Sequence, residues 1–592
     1  MNAPRMTYPL DLSFLTWFNL GADQPSLDAA LAAVQHDHVV QRIWGRDGSL
    51  WGREPEAIRS IRERCGWLDL PTTMLPQLAS LRALAREVRE EGITQVVLLG
   101  MGGSSLAPEV MEGILGVAPG YPQLTVLDST DPTQIRQATA GASLARTLFL
   151  VASKSGDTVE TDALLAHYRA AVAAQVGEER WARHFVAITD PGSGLEKLAR
   201  AAGFRAVYAN PPDVGGRYSA LSLFGLVPAA LIGVDLERLL ARGQEMAEAC
   251  HVEGPAGNPG LLLGAIMGGL ARHRAAARDR LTLLSSAELA PFGAWAEQLV
   301  AESTGKEGLG ILPVEGEPLG QVDDYGPDRL FVYLRLEGAG NGAGDALASA
   351  LVQAGRPLVS LRLRDTYDLG AEFFRWEFAT AVAGQILGIN PFDQPDVESA
   401  KVRARAALAR YEVTHALPQE DPVLAEGALA VYGDKLPASS LADYLAAFLA
   451  QALPGDYVAL MAYIARSPAN QALLAKLPRA VNDHLRAIGS RISGPLRPAI
   501  TVGFGPRFLH STGQLHKGGA NNGLFIQLTQ EESDDLPIPG RPYTFGTLKC
   551  AQALGDLQAL RATGRRAVRV DLGSVVEAGL QALVMALSPG AR

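Results

Sequence analysis

The feature that most constrains the fold of this chain is a series of short apolar runs separated by segments of helical periodicity. The runs are Thr94–Leu99, Leu124–Leu127, Thr147–Ala152, Phe185–Thr189 and Arg205–Tyr208. Short apolar strands that alternate with helices are typical of βαβ units, in which a parallel sheet is covered by helices on both faces. The sequence therefore predicts an α/β fold built on parallel sheets.

A second alternation of the same kind follows the helix-like stretch 220–278. Its strand candidates are Leu281–Leu284, Gly310–Val314, Leu330–Leu336 and Leu358–Leu363. Because two separate series are present, we expect two parallel-sheet domains with helices on both faces, the first at residues 91–240 and the second at residues 255–410.

The remaining segments are predicted to support these two domains. Residues 1–90 have mostly amphipathic helical periodicity and are predicted to form a helical N-terminal region. Residues 411–490, rich in Ala and Leu and broken by prolines, are predicted to be a helical insertion. Strands return after Pro495, but they are few. We therefore expect residues 491–592 to complete the second domain rather than to found a third.

Composition excludes several classes of protein. With 47% hydrophobic and 20% charged residues, the 592-residue chain has the composition of a globular protein and not of a disordered one. Its net charge of −10 leaves no wide basic field, so nucleic acid is not an expected partner. Three scattered cysteines form neither a disulfide framework nor a CxxC metal pair. The sequence shows no secretory signal and no membrane span, so we expect a cytoplasmic protein. Because no cluster of metal ligands and no GxGxxG pattern is present, we expect no metal and no cofactor.

Two loops at the carboxyl ends of predicted strands are suited to hold a phosphate group. Gly102-Gly103-Ser104-Ser105 follows the first strand, and its glycines let backbone N–H groups approach an anion closely. The stretch Ser153-Lys154-Ser155-Gly156-Asp157-Thr158 follows the third strand and opens a helix. Either loop alone could be an ordinary turn with N-cap hydroxyls. Together on one sheet edge, where ligands of α/β proteins bind, they favour a phosphate site. The candidate residues are Gly103, Ser104, Ser153, Lys154, Ser155 and Thr158.

Four further segments accompany these loops. They are Val214-Gly215-Gly216-Arg217-Tyr218-Ser219, Glu302-Ser303-Thr304-Gly305-Lys306, the stretch 390–401 that begins Asn-Pro-Phe-Asp-Gln and ends in Lys401, and His510-Ser511-Thr512-Gly513-Gln514. The loop pair resembles the sugar-isomerase (SIS) domain, and the four segments resemble the glucose-6-phosphate isomerase family. The resemblance implies two SIS-type, flavodoxin-like parallel-sheet domains. Each motif is short, but the combination is specific. The resemblance covers about residues 90–410 and 495–580.

The resemblance implies a role for each motif. Glu302 would be the base that moves a proton between C2 and C1 of the sugar, and Arg217 would stabilise negative charge on the reacting oxygens. His510 would open the sugar ring, and Lys401 would complete the catalytic set. The phosphate site of the family maps onto Ser104, Ser153, Lys154, Ser155 and Thr158, and two further substrate-binding residues map onto Gln298 and Gln394.

These assignments agree with the chemistry of aldose–ketose isomerisation. The reaction needs a carboxylate that takes a carbon-bound proton and a cation beside the developing enediolate. Gln298 and Glu302 are four residues apart in a helical segment, so they share a face. Gln394 and Lys401 are seven residues apart, so they also share a helix face if their segment is helical. Ring opening suits a histidine, which gives and accepts protons near neutral pH. His516 is the alternative to His510, which we prefer because it begins the HSxGQ pattern.

The order of the motifs departs from that of ordinary family members. In those proteins the catalytic histidine precedes the DQ…K segment, whereas here no histidine lies between Glu302 and Lys401. This order resembles the isomerase half of the fused transaldolase–glucose-6-phosphate isomerases. Thr304 and Ser105 stand where many relatives carry Asn and Asp, which affects substrate detail more than reaction type.

The expected function is the interconversion of glucose 6-phosphate and fructose 6-phosphate. One alternative is an isomerase that also accepts mannose 6-phosphate, which differs at C2 only. Another is a non-catalytic SIS protein that senses a sugar phosphate, and a third is the isomerase half of an amino-sugar synthase. The resemblance also implies a homodimer in which the histidine can come from the neighbouring subunit. The only other expected partner is a small-molecule sugar phosphate.

Overall fold

The computed structural model describes residues 16–272, 277–489 and 496–588, and the strands in these ranges form three sheets. The N-terminal part is mainly helical, as predicted, but it begins with a strand. Its elements are β1 (Thr16–Asn19), α1 (Gln24–His36), α2 (Val39–Trp44), α3 (Pro55–Arg62), α4 (Leu70–Thr73) and α5 (Leu78–Glu90). Residues 1–15, which the prediction of a helical region includes, lie outside the described ranges.

The first sheet confirms the first predicted series of strands. All five strands are parallel, in the order β3-β2-β4-β5-β6, and they form the first unit of the protein. Apolar runs of this kind suit strands that are buried on both faces. The elements are β2 (Gln95–Gly100), α6 (Leu106–Leu115), β3 (Gln123–Leu127), α7 (Pro132–Ala138), β4 (Thr147–Ala152), α8 (Val159–Val176), β5 (Phe185–Thr189), α9 (Gly194–Ala202) and β6 (Ala206–Ala209).

The second sheet has the order β1-β10-β9-β7-β8 and defines the second unit. Its four later strands are parallel, as predicted, and β1 adds to the edge antiparallel to β10. The prediction of an all-helical N-terminal region is therefore wrong at residues 16–19. The elements are α10 (Leu223–Leu231), α11 (Leu236–Ala249), α12 (Pro259–Arg272), β7 (Arg280–Ser285), α13 (Phe292–Thr304), β8 (Leu312–Val314), β9 (Arg329–Leu336), α14 (Gly342–Gln353), β10 (Leu358–Leu363), α15 (Leu369–Leu387) and α16 (Val397–Thr414).

The third sheet, in the order β11-β12-β16-β15-β13-β14, defines a third unit. Strands β13 to β16 are parallel, and β12 and β11 extend the sheet in antiparallel fashion. The elements are β11 (Leu424–Glu426), β12 (Leu429–Tyr432), α17 (Leu441–Leu449), β13 (Tyr457–Ala462), α18 (Pro468–Leu474), α19 (Leu477–Gly489), β14 (Ala499–Phe504), α20 (Gly513–Gly518), β15 (Gly523–Thr529), α21 (Phe545–Ala562), β16 (Arg566–Asp571) and α22 (Val576–Leu587).

Two predictions about the C-terminal half are therefore wrong. Residues 411–490 are not an all-helical insertion, because they contain β11, β12 and β13. Residues 491–592 do not complete the second sheet, because their strands pair with β13 and with β12. The physical reason is that β13 is a short, fully buried apolar run inside an Ala/Leu-rich stretch, and periodicity alone does not separate such a strand from a buried helix.

The third unit packs against the first unit through α21, and α16 of the second unit packs beside α21 in the same core. Leu408, Phe545 and Leu548 belong to the same buried cluster as Val151 and Leu164 of the first unit. This shared core fixes how the loops of the third unit approach the carboxyl edge of the first sheet.

A buried ion pair crosses the same interface. Lys549 Nζ on α21 lies 2.6 Å from Asp131 Oδ2 of the first unit and also pairs with Glu532. Burial lowers the pKa of Lys549, but the charges of Asp131 and Glu532 outweigh burial and raise that pKa above its ordinary value. The ammonium therefore stays charged where the two units meet.

We predict that Lys549→Met lowers the free energy of unfolding by about 3–5 kcal/mol, because it leaves Asp131 buried without its cation. Chemical denaturation measures the change. The matched control is Arg82→Met, which breaks an exposed pair with Glu237 and should cost less than about 1 kcal/mol. Equal losses in the two variants would contradict a structural role for the buried pair.

Candidate functional site

A cavity of about 660 Å³ lies where the three units meet. The loops after β2 and β4 supply one wall, α13 and the loop before α16 supply the second, and the loop after β14 supplies the third. Eleven of the twelve predicted site residues line it. They are Gly103, Ser104, Lys154, Ser155, Thr158, Arg217, Gln298, Glu302, Gln394, Lys401 and His510.

The loop after β2 reaches the cavity because residue 103 is a glycine and has no side chain. A Cβ atom on Gly103 would lie 2.0 Å from the carbonyl oxygen of Gly216. Only glycine permits this approach, which brings the loop after β2 against the loop that carries Arg217. The two motifs are thereby brought together on one side of the cavity.

The second loop is organised by its own hydrogen bonds. Ser153 is buried, its Oγ lies 3.0 Å from Thr158 Oγ1, and the Gly156 N–H donates to Ser153 Oγ over 3.1 Å. Ser153, the twelfth predicted residue, therefore shapes the loop rather than lining the cavity. Lys154 Nζ donates to Asp190 Oδ2 over 2.5 Å and to the Pro212 carbonyl over 2.9 Å. Thr158 stands at the N-cap of α8, where the helix dipole favours an anion.

A carboxylate and a guanidinium face each other in the cavity. Glu302 Oε1 lies 3.3 Å from Arg217 Nη1, and both side chains are buried. Gln298, one turn earlier on α13, donates from Nε2 to Glu302 Oε2 over 3.1 Å. The predicted shared face of Gln298 and Glu302 is confirmed. The arrangement presents an oriented carboxylate next to a fixed positive charge.

Arg217 is fixed by the other motifs. Its Nε donates to Ser303 Oγ over 2.8 Å, and its Nη1 donates to Gln394 Oε1 over 3.1 Å. Its Nη2 donates to the carbonyl oxygens of Pro391 and Asp393 over 2.7 and 2.8 Å. Gln394 precedes the start of α16 at Val397, so it does not share a helical face with Lys401, although both line the cavity.

Lys306 holds the loop that contains Asn390 and Asp393. The sequence motifs gave this lysine no role. Its Nζ donates to the Asn390 carbonyl over 2.6 Å and to Asp393 Oδ1 over 2.8 Å. Burial, followed by the charge of Arg217, lowers the pKa of Lys306 to about 8. The lysine of the ESTGK motif therefore anchors the NPFDQ loop on which Arg217 rests.

The two candidate histidines lie in different surroundings. His510 lines the cavity, and its Nε2 lies 3.0 Å from Glu160 Oε1. Its carbonyl oxygen accepts a 2.7 Å bond from Gln298 Nε2. His516 is buried beside Tyr457 and Phe525, and burial lowers its pKa well below the ordinary value. The geometry places His510, and not His516, where a ligand can meet it.

Sequence reasoning missed Glu160 and a wall from the N-terminal region. Glu160 is buried two residues after Thr158, in the first turn of α8, where an acidic residue is ordinary. Arg64 lines the cavity and donates to the carbonyl oxygen of Phe392. Burial lowers the pKa of Arg64. No sequence signal pointed to either residue, because both depend on contacts between distant segments.

Gln514 joins the second and third units beside the cavity. It is buried on α20, its Nε2 donates to the Gly305 carbonyl over 2.9 Å, and its Oε1 accepts the Asp396 N–H over 2.9 Å. The last residue of the HSTGQ motif therefore bonds to the ESTGK motif and to the stretch 390–401. This bridge holds the loop of His510 in place.

Across residues 16–272, 277–489 and 496–588, no three or more His, Cys, Asp and Glu side chains are grouped so that they could hold a metal ion. In the same ranges, no helix is both long and apolar enough to cross a membrane.

The helix-covered parallel sheets, with the cavity at the carboxyl edge of the first sheet, define an α/β protein, and the comparisons identify the family. The phosphoglucose isomerase family model matches residues 85–309. The glucose-6-phosphate isomerase of Rubrobacter xylanophilus is 32% identical over 418 residues, which cover 62% of this chain and 96% of the relative. That of Carboxydothermus hydrogenoformans is 31% identical over 416 residues, 60% of this chain and 88% of the relative. The chain belongs to the phosphoglucose isomerase family.

Two solved structures are similar to this one. A hypothetical protein of Thermus thermophilus superposes with a TM-score of 0.54 at 28% identity, over 67% of this chain and 100% of that chain. A glucose-6-phosphate isomerase of Chlamydia trachomatis superposes with a TM-score of 0.51 at 19% identity, over 65% of this chain and 86% of that chain. The second likeness concerns the fold alone.

We predict that Gly103→Ala raises the dissociation constant for glucose 6-phosphate about a hundredfold, because the added Cβ pushes two loops apart by an ångström or more. Isothermal titration calorimetry measures the constant. Gly340→Ala is the control, since no atom of the described residues, apart from its own chain neighbours, lies within 4 Å of its added Cβ and Gly340 does not line the cavity. Loss of affinity in the control alone would contradict the role given to the close approach.

Proposed function

We propose that the protein interconverts glucose 6-phosphate and fructose 6-phosphate by ring opening and proton transfer through a cis-enediolate. The observation that carries the proposal is the buried pair of Glu302 and Arg217, 3.3 Å apart, on the same cavity as the two hydroxyl-rich loops and His510. The names of the relatives support the same reaction.

The phosphate group is bound at the loops of the first unit. Backbone N–H groups near Gly103 and Ser104, the hydroxyls of Ser155 and Thr158, and the N-terminus of α8 all favour an anion. Lys154 adds a positive charge at the edge of the cavity. With the phosphate held there, the sugar extends toward Glu302 and His510.

His510 opens the ring. Because the Glu160 carboxylate accepts a hydrogen bond from Nε2, the tautomer is set and Nδ1 is the nitrogen left to exchange a proton with the sugar. His510 takes the proton from the anomeric hydroxyl while the C1–O5 bond breaks, and the proton ends on the ring oxygen. Lys401 lines the same cavity and favours negative charge on that oxygen.

Glu302 then moves the proton between carbons. It takes the C2 proton of the open-chain aldose, and the electron pair forms the C1–C2 double bond as O1 becomes negative. Arg217 lies beside the carboxylate and stabilises this cis-enediolate. The same carboxyl returns the proton to C1 while a hydroxyl proton passes from O2 to O1 and the C2=O double bond forms, which gives the ketose. No electron leaves the substrate, so the step balances internally.

The alternatives differ in what they require of the site. A sensing protein needs the phosphate loops but has no use for Glu302, Arg217 and Lys401 on the same cavity. Thr304, which could have widened tolerance at C2, donates to the Val300 carbonyl over 2.7 Å and does not line the cavity. This position therefore does not favour mannose 6-phosphate as a substrate.

His510 and Glu302 belong to the same chain, so one chain brings together every residue that the proposed reaction uses. The homodimer that the family resemblance implies stays a prediction, and a histidine from a neighbouring subunit is not needed to complete this cavity.

We predict that Glu302→Gln lowers kcat for fructose 6-phosphate formation at least about a thousandfold, because the amide cannot take the C2 proton. Substrate affinity should change little, since the side chain keeps its size. A coupled assay with and without chelator, with mannose 6-phosphate run in parallel, measures the reaction and its selectivity. A fully active variant would remove Glu302 from the mechanism.

We also predict that His510→Ala lowers the rate about a hundredfold on cyclic substrate and far less on an open-chain analogue, because only the cyclic form needs ring opening. His516→Ala is the matched control. Because His516 is buried in the core, this substitution should lower the stability of the fold more than it changes the ratio of the rates on the cyclic and the open-chain substrates. The opposite pattern would assign ring opening to His516.

A further inference from the structure

We propose that Gln552 of the third unit is a positioning residue for ring opening, holding the Glu160 carboxylate in the orientation that His510 needs. The inference rests on the proposed function, because it concerns the same step. It adds a residue that lies outside every sequence motif of the chain.

Glu160 Oε1 receives two hydrogen bonds. His510 Nε2 lies 3.0 Å from it and Gln552 Nε2 donates to it over 2.7 Å. Both donors come from the third unit, whereas Glu160 belongs to α8 of the first. The carboxylate is therefore held across the interface between units, at the oxygen that faces the histidine.

The amide of Gln552 has a defined orientation. Thr130 Oγ1 in the first unit donates to Gln552 Oε1 over 2.8 Å, so the NH₂ group is the part that faces Glu160. Thr130, Gln552 and Glu160 are all buried. Thr130 thus donates to Gln552, and Gln552 and His510 both donate to Glu160, so the carboxylate is the acceptor at which this hydrogen-bond network converges.

The hydrogen bond from the Gln552 amide matters because the Glu160 carboxylate is buried. Burial acts to raise the pKa of Glu160, but the charge of His510 and its hydrogen bond outweigh burial and lower that pKa. A buried carboxylate that loses a donor is less stable as an anion and freer to rotate. It then orients the His510 ring less well, and ring opening slows before proton transfer does.

Other charged groups around Glu160 do not replace this donor. Lys401 acts on it by charge alone, and His510 is the group to be positioned. Glu160 in turn acts by charge on Asp162 and Tyr463, whose pKa values burial raises. Lys549 and Asp556 neighbour Gln552 on α21, but they pair with Asp131 and Lys517 respectively.

The test compares Gln552→Met with Gln527→Met. Both remove a buried amide in the third unit, but Gln527 donates over 3.0 Å to the Ala553 carbonyl and has no bond to Glu160. We expect Gln552→Met to lower kcat about tenfold, the change that one lost bond to a charged group produces. Gln527→Met should stay within about twofold of the unaltered enzyme.

A deuterium isotope effect shows which step has slowed. With glucose 6-phosphate deuterated at C2, slower ring opening leaves the isotope effect on kcat of Gln552→Met no larger than that of the unaltered enzyme. Distortion of the Glu302 step would enlarge it. An enlarged effect, or a kcat within about twofold of the unaltered enzyme, would overturn the proposal.

A second variant covers the case in which Gln552→Met does not fold. In Gln552→Glu the new carboxyl, when protonated, donates to Glu160 as the amide does, and when ionised it repels Glu160. Its activity should therefore approach that of the unaltered enzyme at acidic pH and fall as pH rises, with the falling limb shifted to lower pH. An unshifted pH profile would count against Gln552. If the unaltered chain itself lacks isomerase activity, the proposed function fails rather than this residue alone.

Discussion

The rest of the site depends on one buried guanidinium. Arg217 bonds to Ser303, to Gln394 and to two carbonyl oxygens of the stretch 390–401, and it faces Glu302. A buried Arg is tolerable only when its donors are satisfied, so these contacts fix the loops as much as the loops fix the arginine. The group that the proposed reaction places beside the enediolate is therefore held rigidly before any substrate arrives, which is what electrostatic stabilisation of a developing charge requires.

The third unit supplies part of the candidate site as well as packing against the other two units. Its core with α8, the buried pair of Lys549 and Asp131, and the bridge from Gln514 to Gly305 hold it against the first and second units. These contacts bring the loop after β14 to the cavity, with His510 at its end. The proposed ring-opening group and the proposed base thus come from different units of one chain and meet because the interfaces between those units are buried and polar.

Much of the fold and of the candidate site was predictable from the sequence, and each wrong or missed prediction has a physical cause. The two series of parallel strands were predicted because their apolar runs are bounded by helical segments, and the motifs pointed to eleven residues that do line the cavity. Strand β1 was missed because four residues carry too little pattern, and β13 because a buried apolar run fits a strand and a helix equally well. Without β13, strand β14 has no partner and is not joined to β15 and β16, so the third sheet was missed as well.

The sequence by itself determined the class of fold, the two candidate phosphate-binding loops and the motif residues, because alternating periodicity and short motifs are local properties of the chain. The tertiary structure alone decided that His510 and not His516 faces the cavity, that Glu160, Arg64 and Gln552 adjoin the motif residues, and that the last strands form their own sheet. Those facts depend on contacts between residues hundreds of positions apart, and such contacts are set by burial and packing, which leave no pattern in the local sequence.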